Sequence, residues 1–170
     1  MTTPLEQFLA TLPTLRAQLD ERLDVCVDAH QVAWTLCEFA GRELALDDCV
    51  VYLSEVDGHA LVQRAAWGPK RVAERLFDGS IRLDFGQGVV GTCALIGATQ
   101  LVPDTRLDPR YVLDDAKRLA ELAVPIMAKG RVLGVIDCEH AVADYFDSRH
   151  IRALLAIAGC GADRLQTLGG

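Results

Sequence analysis

Gly86-Gln87-Gly88-Val89-Val90-Gly91 sits near the middle of the chain, and its reading decides the fold. Taken alone, the spacing of Gly86, Gly88 and Gly91 spells the dinucleotide-binding fingerprint of a parallel βαβ unit. A strand pattern precedes it, a helical stretch follows, and Asp104 falls about where that unit places its ribose-binding acid. Three features oppose this reading. Residues 80–85 alternate, with Ile81, Leu83 and Phe85 on one side, whereas the first strand of a parallel sheet is buried on both faces. Residues 89–96, stopped by Gly97, form a helix too short to cross such a sheet. The run also lies halfway along a 170-residue chain, which leaves little room for the second half of a dinucleotide fold. It reads instead as a tight strand-to-helix turn where glycine supplies backbone freedom. The N–H groups of the helix that follows would face a pocket and could hold an anion.

Working outward, Cys49-Val50-Val51-Tyr52-Leu53 is a β-branched and aromatic strand, Asp57-Gly58 is a hairpin turn, and residues 60–67 return as a second strand ended by Gly68-Pro69. Residues 70–77 are mixed, either helix or loop. Gln100-Leu101-Val102 is a short strand closed by Pro103. The polar residues 103–118 form a long loop with a helical turn, of a kind that is usually functional or mobile. Residues 121–127 and 131–138 form a hairpin around Lys129-Gly130, although Pro125 argues against a central position for its strand.

Both ends are helical. Leu5, Phe8, Leu12, Leu15, Leu19 and Leu23 form one apolar stripe, interrupted at Pro13, and Val25, Ala29, Val32, Ala33, Leu36 and Ala40 form a second. Asp147 caps a closing helix on which Ile151, Leu154, Ala158, Gly161, Leu165 and Leu168 step as a heptad seam. Helices, strands, a short helix, strands and a helix predict an α+β fold: a mostly antiparallel sheet with the terminal helices on one face. Residues 1–24 read as an N-terminal amphipathic helix offering a dimer contact, and residues 25–170 as the domain proper with its C-terminal helix.

The composition supports one domain. Hydrophobic residues make up 51%, enough for a core. A net charge of -7, without a Lys/Arg cluster, disfavours nucleic acid. No stretch is apolar enough to span a bilayer and no signal peptide is visible, so a cytoplasmic location is expected. The six cysteines form no Cys-x-x-Cys and no cluster with histidine, so they read as buried thiols in a reducing compartment, with no metal site.

In order and spacing, the glycine run, Val102-Pro103-Asp104 through Arg110-Tyr111, Glu121-Leu122-Ala123-Val124-Pro125-Ile126 and Val132-Leu133-Gly134-Val135-Ile136-Asp137 together resemble the GAF domain family. The resemblance covers residues 25–165, and Phe146 before the last helix fits it. It implies a central antiparallel sheet of five or six strands, with terminal helices on one face and a ligand pocket on the other, under the short helix and the long loop. It also implies a noncatalytic small-molecule sensor that dimerises through its terminal helices and signals to a separate output protein. The chain lacks the cyclic-nucleotide signature and the bilin-anchoring Cys-His of some members, and no cofactor is identifiable.

One branch of that family, the free methionine-(R)-sulfoxide reductases, consists of enzymes. They need a thiolate to attack sulfur, a second thiol to resolve the product, and carboxylates to hold the substrate amine. Glu121, Asp137 and Glu139 fall on stretches where that branch places its carboxylates. Its cysteines would fall near Val90 and within residues 112–115, and neither is present. Cys93, one helical turn past Val90, is the alternative thiol, for such an enzyme or for a peroxide-responsive redox switch.

The expected ligand-binding residues are Trp67, Phe85, Asp104, Arg110, Tyr111, Glu121 and Asp137. Arg110 either grips an anionic ligand or pairs with Asp104 or Asp108 to staple the loop. Asp104 either binds ligand or caps an Asx-turn. Glu121 faces the pocket or solvent, and Asp137, ending an apolar run, is either paired or functional. Trp67 and Phe85 line the pocket or pack the core, and His140 is expected at the surface.

Overall fold

A capping box opens the described chain. The Thr3 hydroxyl accepts from the Glu6 N–H and Glu6 reaches back to the Thr3 N–H, starting α1 (Pro4–Ala10). Pro13 sits in the first turn of α2 (Leu12–Asp24), so it begins a new helix rather than kinking a continuous one. Asp28 caps α3 (Ala29–Glu43), three residues later than the apolar stripe alone suggests. The computed structural model describes residues 2–77, 80–111 and 117–169, apart from the side chain of Phe77.

Next come β1 (Asp48–Ser54), β2 (Ala60–Trp67), β3 (Arg71–Ala73), β4 (Leu76–Phe77) and β5 (Arg82–Asp84). The mixed stretch after Pro69 is therefore neither helix nor plain loop: β3 and β4 pair as a small separate hairpin. The glycine run leads into α4 (Gly88–Ile96), which is followed by β6 (Gln100–Val102), β7 (Ala120–Ala128), β8 (Arg131–His140) and α5 (Ser148–Thr167).

One six-stranded sheet has the order β5-β2-β1-β8-β7-β6, and every pairing is antiparallel. This removes the parallel dinucleotide fold. Gly86 and Gly88 take φ of +91° and +68°, and a Cβ on Gly91 would collide with the Asp84 carbonyl oxygen. The glycines are thus needed to fold the turn onto the strand before it. Pro125 is accommodated because β6 pairs only with Glu121, Leu122 and Ala123, leaving β7 paired on one side at the proline.

Strand alternation divides the interior in two. Cys49, Val51, Leu53, Leu122, Val124, Ile126, Ile136 and Cys138 face α3 and α5 in the larger core. Val50, Tyr52, Leu61, Ala123 and Val135 face α4 in a smaller one, with Val89, Val90 and Cys93. Leu5, Phe8, Leu19 and Leu23 belong to the larger core. These four residues of the N-terminal stripe thus pack against the same core as α3 and α5, while Leu12 and Leu15 are partly buried against it. No described helix is long and apolar enough to cross a membrane.

Candidate active site

The α4 face of the sheet carries a row of carboxylates fixed by strand register. Asp48 on β1 stands opposite Glu139 on β8, and Glu139 stands opposite Glu121 on β7. Asp137, two residues before Glu139 and so on the same face, lies between Val50 and Ala123. All four are buried. Like charges directly opposite are destabilising, and a buried carboxylate is costly unless paired or protonated.

Cations and protons relieve the strain. Asp48 is paired with Arg118 at 3.0 Å, and Lys70 Nζ lies 3.9 Å from Glu139. The Tyr111 hydroxyl accepts from the Arg118 N–H at 3.3 Å and also hydrogen-bonds Glu139. Burial, then Glu139, push the Glu121 carboxyl up to about 8. Burial, then Glu121 and Glu139, hold Asp137 well above the ordinary carboxylate range. Burial raises Glu139 to about 7 against the opposing pull of Lys70. Glu121 and Asp137 act on each other electrostatically, and both are held above the ordinary carboxylate range, which favours a proton on the pair. Glu121 Oε2 and Asp137 Oδ1 have no hydrogen-bond partner among the described residues.

These groups line a cavity of about 50 Å³ with Tyr52, Leu83 and the first turn of α4 at Gly88, Val89 and Val90. No side chain caps that turn, because Gln87 instead accepts from the Asp84 N–H at 3.0 Å. The cavity thus joins a helix N-terminus, suited to an anion, to a protonatable carboxyl pair suited to a cation or to proton donation. It is smaller than the roughly 300 Å³ at which small-molecule pockets begin, so a ligand larger than a few waters requires its walls to move. A larger open groove of about 710 Å³ runs between the β1–β2 and β7–β8 turns and the end of α4. It is lined largely by apolar residues such as Leu53, Leu95, Ile96 and Met127 and lacks the carboxylate row, so size does not mark the chemical site.

The other expected residues are dispersed. Trp67 lies on the helix side, its indole N–H donating to the Leu46 carbonyl at 3.0 Å and its ring against Gly41 of α3. Phe85 lines the large groove. Asp104 caps a 3-10 turn (Thr105–Leu107) and is ion-paired with Arg106 at 2.6 Å. Arg110 pairs with Asp108 at 2.6 Å and donates to Gln100 at 2.9 Å, so it staples the loop to β6. His140 is partly buried and stacked on Tyr145.

Cys93 sits on α4 above β7, its Sγ 3.6 Å from the Ala123 carbonyl. Burial, then Asp137, push it up to about 12, so it is a protonated thiol in this closed form. Residues 112–115, where the reductase branch would carry a cysteine, lie outside the described residues, and their sequence contains none. Sequence reasoning missed Asp48, Lys70 and Arg118. Only Asp48 left a signal, as an acid immediately before an apolar strand and in phase with Val50 and Tyr52.

Comparison with known proteins bears on this geometry. The chain is 28% identical over 155 residues to the free methionine-R-sulfoxide reductase of Escherichia coli, covering 88% of this chain and 74% of that enzyme. It is 39% identical over 66 residues to the Saccharomyces cerevisiae enzyme of the same name, covering 38% of this chain and 37% of that one. The first curated relatives are matched over only 37–45% of their own length. A free methionine-R-sulfoxide reductase from Neisseria meningitidis, solved in complex with its substrate, superposes with a TM-score of 0.75 at 22% identity, over 89% of this chain and 86% of that one. At that identity the superposition speaks for the fold. The expected noncatalytic sensor is overturned, because relatives aligned to this chain, among them the Escherichia coli and Saccharomyces cerevisiae proteins, are named as reductases. A family model for the GAF domain matches residues 28–159, and with the six-stranded antiparallel sheet, the flanking helices and the roofing α4 in place, the chain belongs to the GAF domain family.

Proposed function

We propose that the chain is an enzyme of the free methionine-R-sulfoxide reductase type, reducing the sulfoxide of a free amino acid at the expense of a thiol. The observation that carries this reading is the buried pair Glu121 and Asp137, both raised above the ordinary carboxylate range and each with an unpartnered oxygen beneath α4. The alignment with the Escherichia coli enzyme, over 88% of this chain and 74% of that one, supports it. A free amino acid is a zwitterion. Its ammonium suits the carboxylate row, and its carboxylate suits the uncapped first turn of α4.

A protonated carboxyl near neutral pH is suited to donate to the sulfoxide oxygen as a thiol sulfur attacks the substrate sulfur. The oxygen passes to the attacking sulfur, so sulfoxide and thiol become thioether and sulfenic acid. Two equivalents of a small external thiol then return the sulfenic acid to thiol, releasing water and a disulfide. Cys93 is the nearest thiol to the cluster on this face of the sheet. Its high pKa means that the same opening that admits substrate must also expose it.

The test is turnover of free L-methionine-(R)-sulfoxide with dithiothreitol as reductant, followed by mass spectrometry. Wild type is expected to produce methionine and Cys93→Ser none. No turnover by wild type overturns the reading, and full turnover by Cys93→Ser removes Cys93 from it.

A further inference from the structure

The opposite face of the same strands carries a second cluster of nucleophiles that this reaction does not use. Cys49 on β1 and Cys138 on β8 are direct register partners on the two central strands. Residues directly opposite in an antiparallel ladder hold their Cα atoms about 4.5–5.5 Å apart, within the roughly 4.4–6.8 Å that a disulfide spans. Cys37 on α3 joins them, its thiol donating to the Cys49 carbonyl oxygen at 3.2 Å, and the three thiols influence one another electrostatically. Cys26, by contrast, lies in the connection between α2 and α3 with its Sγ on the Arg22 carbonyl and Thr35 hydroxyl, and Cys160 sits on α5.

We propose that Cys37, Cys49 and Cys138 form an oxidisable thiol site in which hydrogen peroxide drives a Cys49–Cys138 disulfide. The Cys49 thiolate attacks a peroxide oxygen, giving sulfenic acid and releasing hydroxide. The Cys138 thiol then attacks the Cys49 sulfur, forming the S–S bond and releasing water. Overall two thiols and one peroxide give one disulfide and two waters, and an external dithiol reverses it. Cys49 is the attacking sulfur because the neighbouring thiols of Cys138 and Cys37, with Lys70 within electrostatic reach, hold it below the ordinary thiol range, whereas Cys37 and Cys138 are pushed up. Cys37 is placed to exchange into the bond from the other side.

The site lies back to back with the candidate active site. Asp48 precedes Cys49, and Asp137 and Glu139 flank Cys138, with these carboxylates on the other face. A bridge here would lock the two central strands directly beneath the carboxylate row. All three thiols are buried, so peroxide reaches them through local opening of the α3 layer.

The wild-type protein tests this without a substitution. The full chain is treated with hydrogen peroxide, its remaining thiols are alkylated in denaturant, and tryptic peptides are mapped. Arg42, Lys70 and Arg118 put the three cysteines on separate peptides, and fragmentation of the 23–42 peptide distinguishes Cys37 from Cys26, which shares it. The expected result is a cross-linked Cys49–Cys138 peptide, lighter by two hydrogens than its parts and split by dithiothreitol. In Cys138→Ala the link is expected to move to Cys37–Cys49. Six alkylated thiols, a bridge to Cys26, Cys93 or Cys160, or overoxidation of Cys49 without a bridge would overturn the proposal. Because Cys93 takes no part, the outcome is independent of sulfoxide turnover.

Discussion

Glu121 and Glu139 stand directly opposite each other on β7 and β8, both buried, in a position where two like charges repel. The protein holds them there by leaving protons on the cluster and by setting Lys70 3.9 Å from Glu139. The first consequence is a pH dependence of opposite sign to the usual surface carboxylate. Glu121 is raised to about 8 from an ordinary value of 4.5. The folded state therefore binds more protons than the unfolded chain between those limits, and the contribution of Glu121 is full below pH 4.5 and lost as pH rises through 8. Urea midpoints are expected to fall less between pH 5.5 and 8.5 in Glu121→Gln than in wild type. Parallel profiles for the two proteins would count against the shift.

Much of this fold is legible in local pattern, because antiparallel strands, caps and amphipathic helices are short-range features. The strand from Ala60 to Trp67, the Gly97 stop and the Asp147 cap all follow from their neighbours. The site is legible only in part, because register is non-local. Glu121 and Asp137 stand out as acids on apolar strands, yet nothing in the sequence says that Glu121 meets Glu139 or that Asp48 joins the row. Trp67 shows how one step along a strand turns a residue to the other face: Ala66 precedes it, and the indole lies against α3. Lys70 comes from a turn after Pro69 whose path no periodicity describes. The stripe on α1 and α2 is readable as apolar but not as packed into the core of α3 and α5, which are distant in sequence.

On the proposed function, the raised titration of Glu121 and Asp137 also sets a pH limit on turnover. A general acid must be protonated to act, so kcat/KM for the sulfoxide is expected to fall as pH rises through about 8. Removing that proton source, in Glu121→Gln or Asp137→Asn, is expected to lower kcat on the order of 100-fold. Glu121→Gln should also lose the alkaline limb. A limb that persists unchanged in both variants would assign it to another group.

Two glycines on α5 make a paired test of packing. A Cβ on Gly159 meets nothing within 4 Å, whereas one on Gly161 would collide with the Leu36 side chain of α3. Replacing a mid-helix glycine that has room for a Cβ with alanine gains about 0.5–1 kcal/mol of helix propensity. Gly159→Ala is therefore expected to raise the denaturation midpoint. Gly161→Ala gains the same propensity but forces α3 and α5 apart, at a typical overpacking cost of about 1–3 kcal/mol, and should lower it. Equal effects would mean that the α3–α5 crossing is looser than its geometry indicates.

Asp48 and Arg118 join the start of β1 to the loop before β7 through a 3.0 Å ion pair whose side chains are 2% and 11% exposed. Removing one partner of a buried pair leaves a charge in a medium that solvates it poorly, which typically costs about 3–5 kcal/mol. Arg118→Met is expected to destabilise the fold by roughly that amount near neutral pH. It should also raise Glu139, which Arg118 helps to hold down. Replacing both partners, Asp48→Leu with Arg118→Met, removes the orphaned charge and one of the carboxylates facing Glu139. The double variant is therefore expected to recover most of the lost stability, because a buried pair and a well-packed apolar pair are often of similar stability. Chemical denaturation of the two single variants and the double variant, read as a thermodynamic cycle, measures the coupling. Additive losses in the double variant would show that the pair contributes through packing of each side chain and not through its charges.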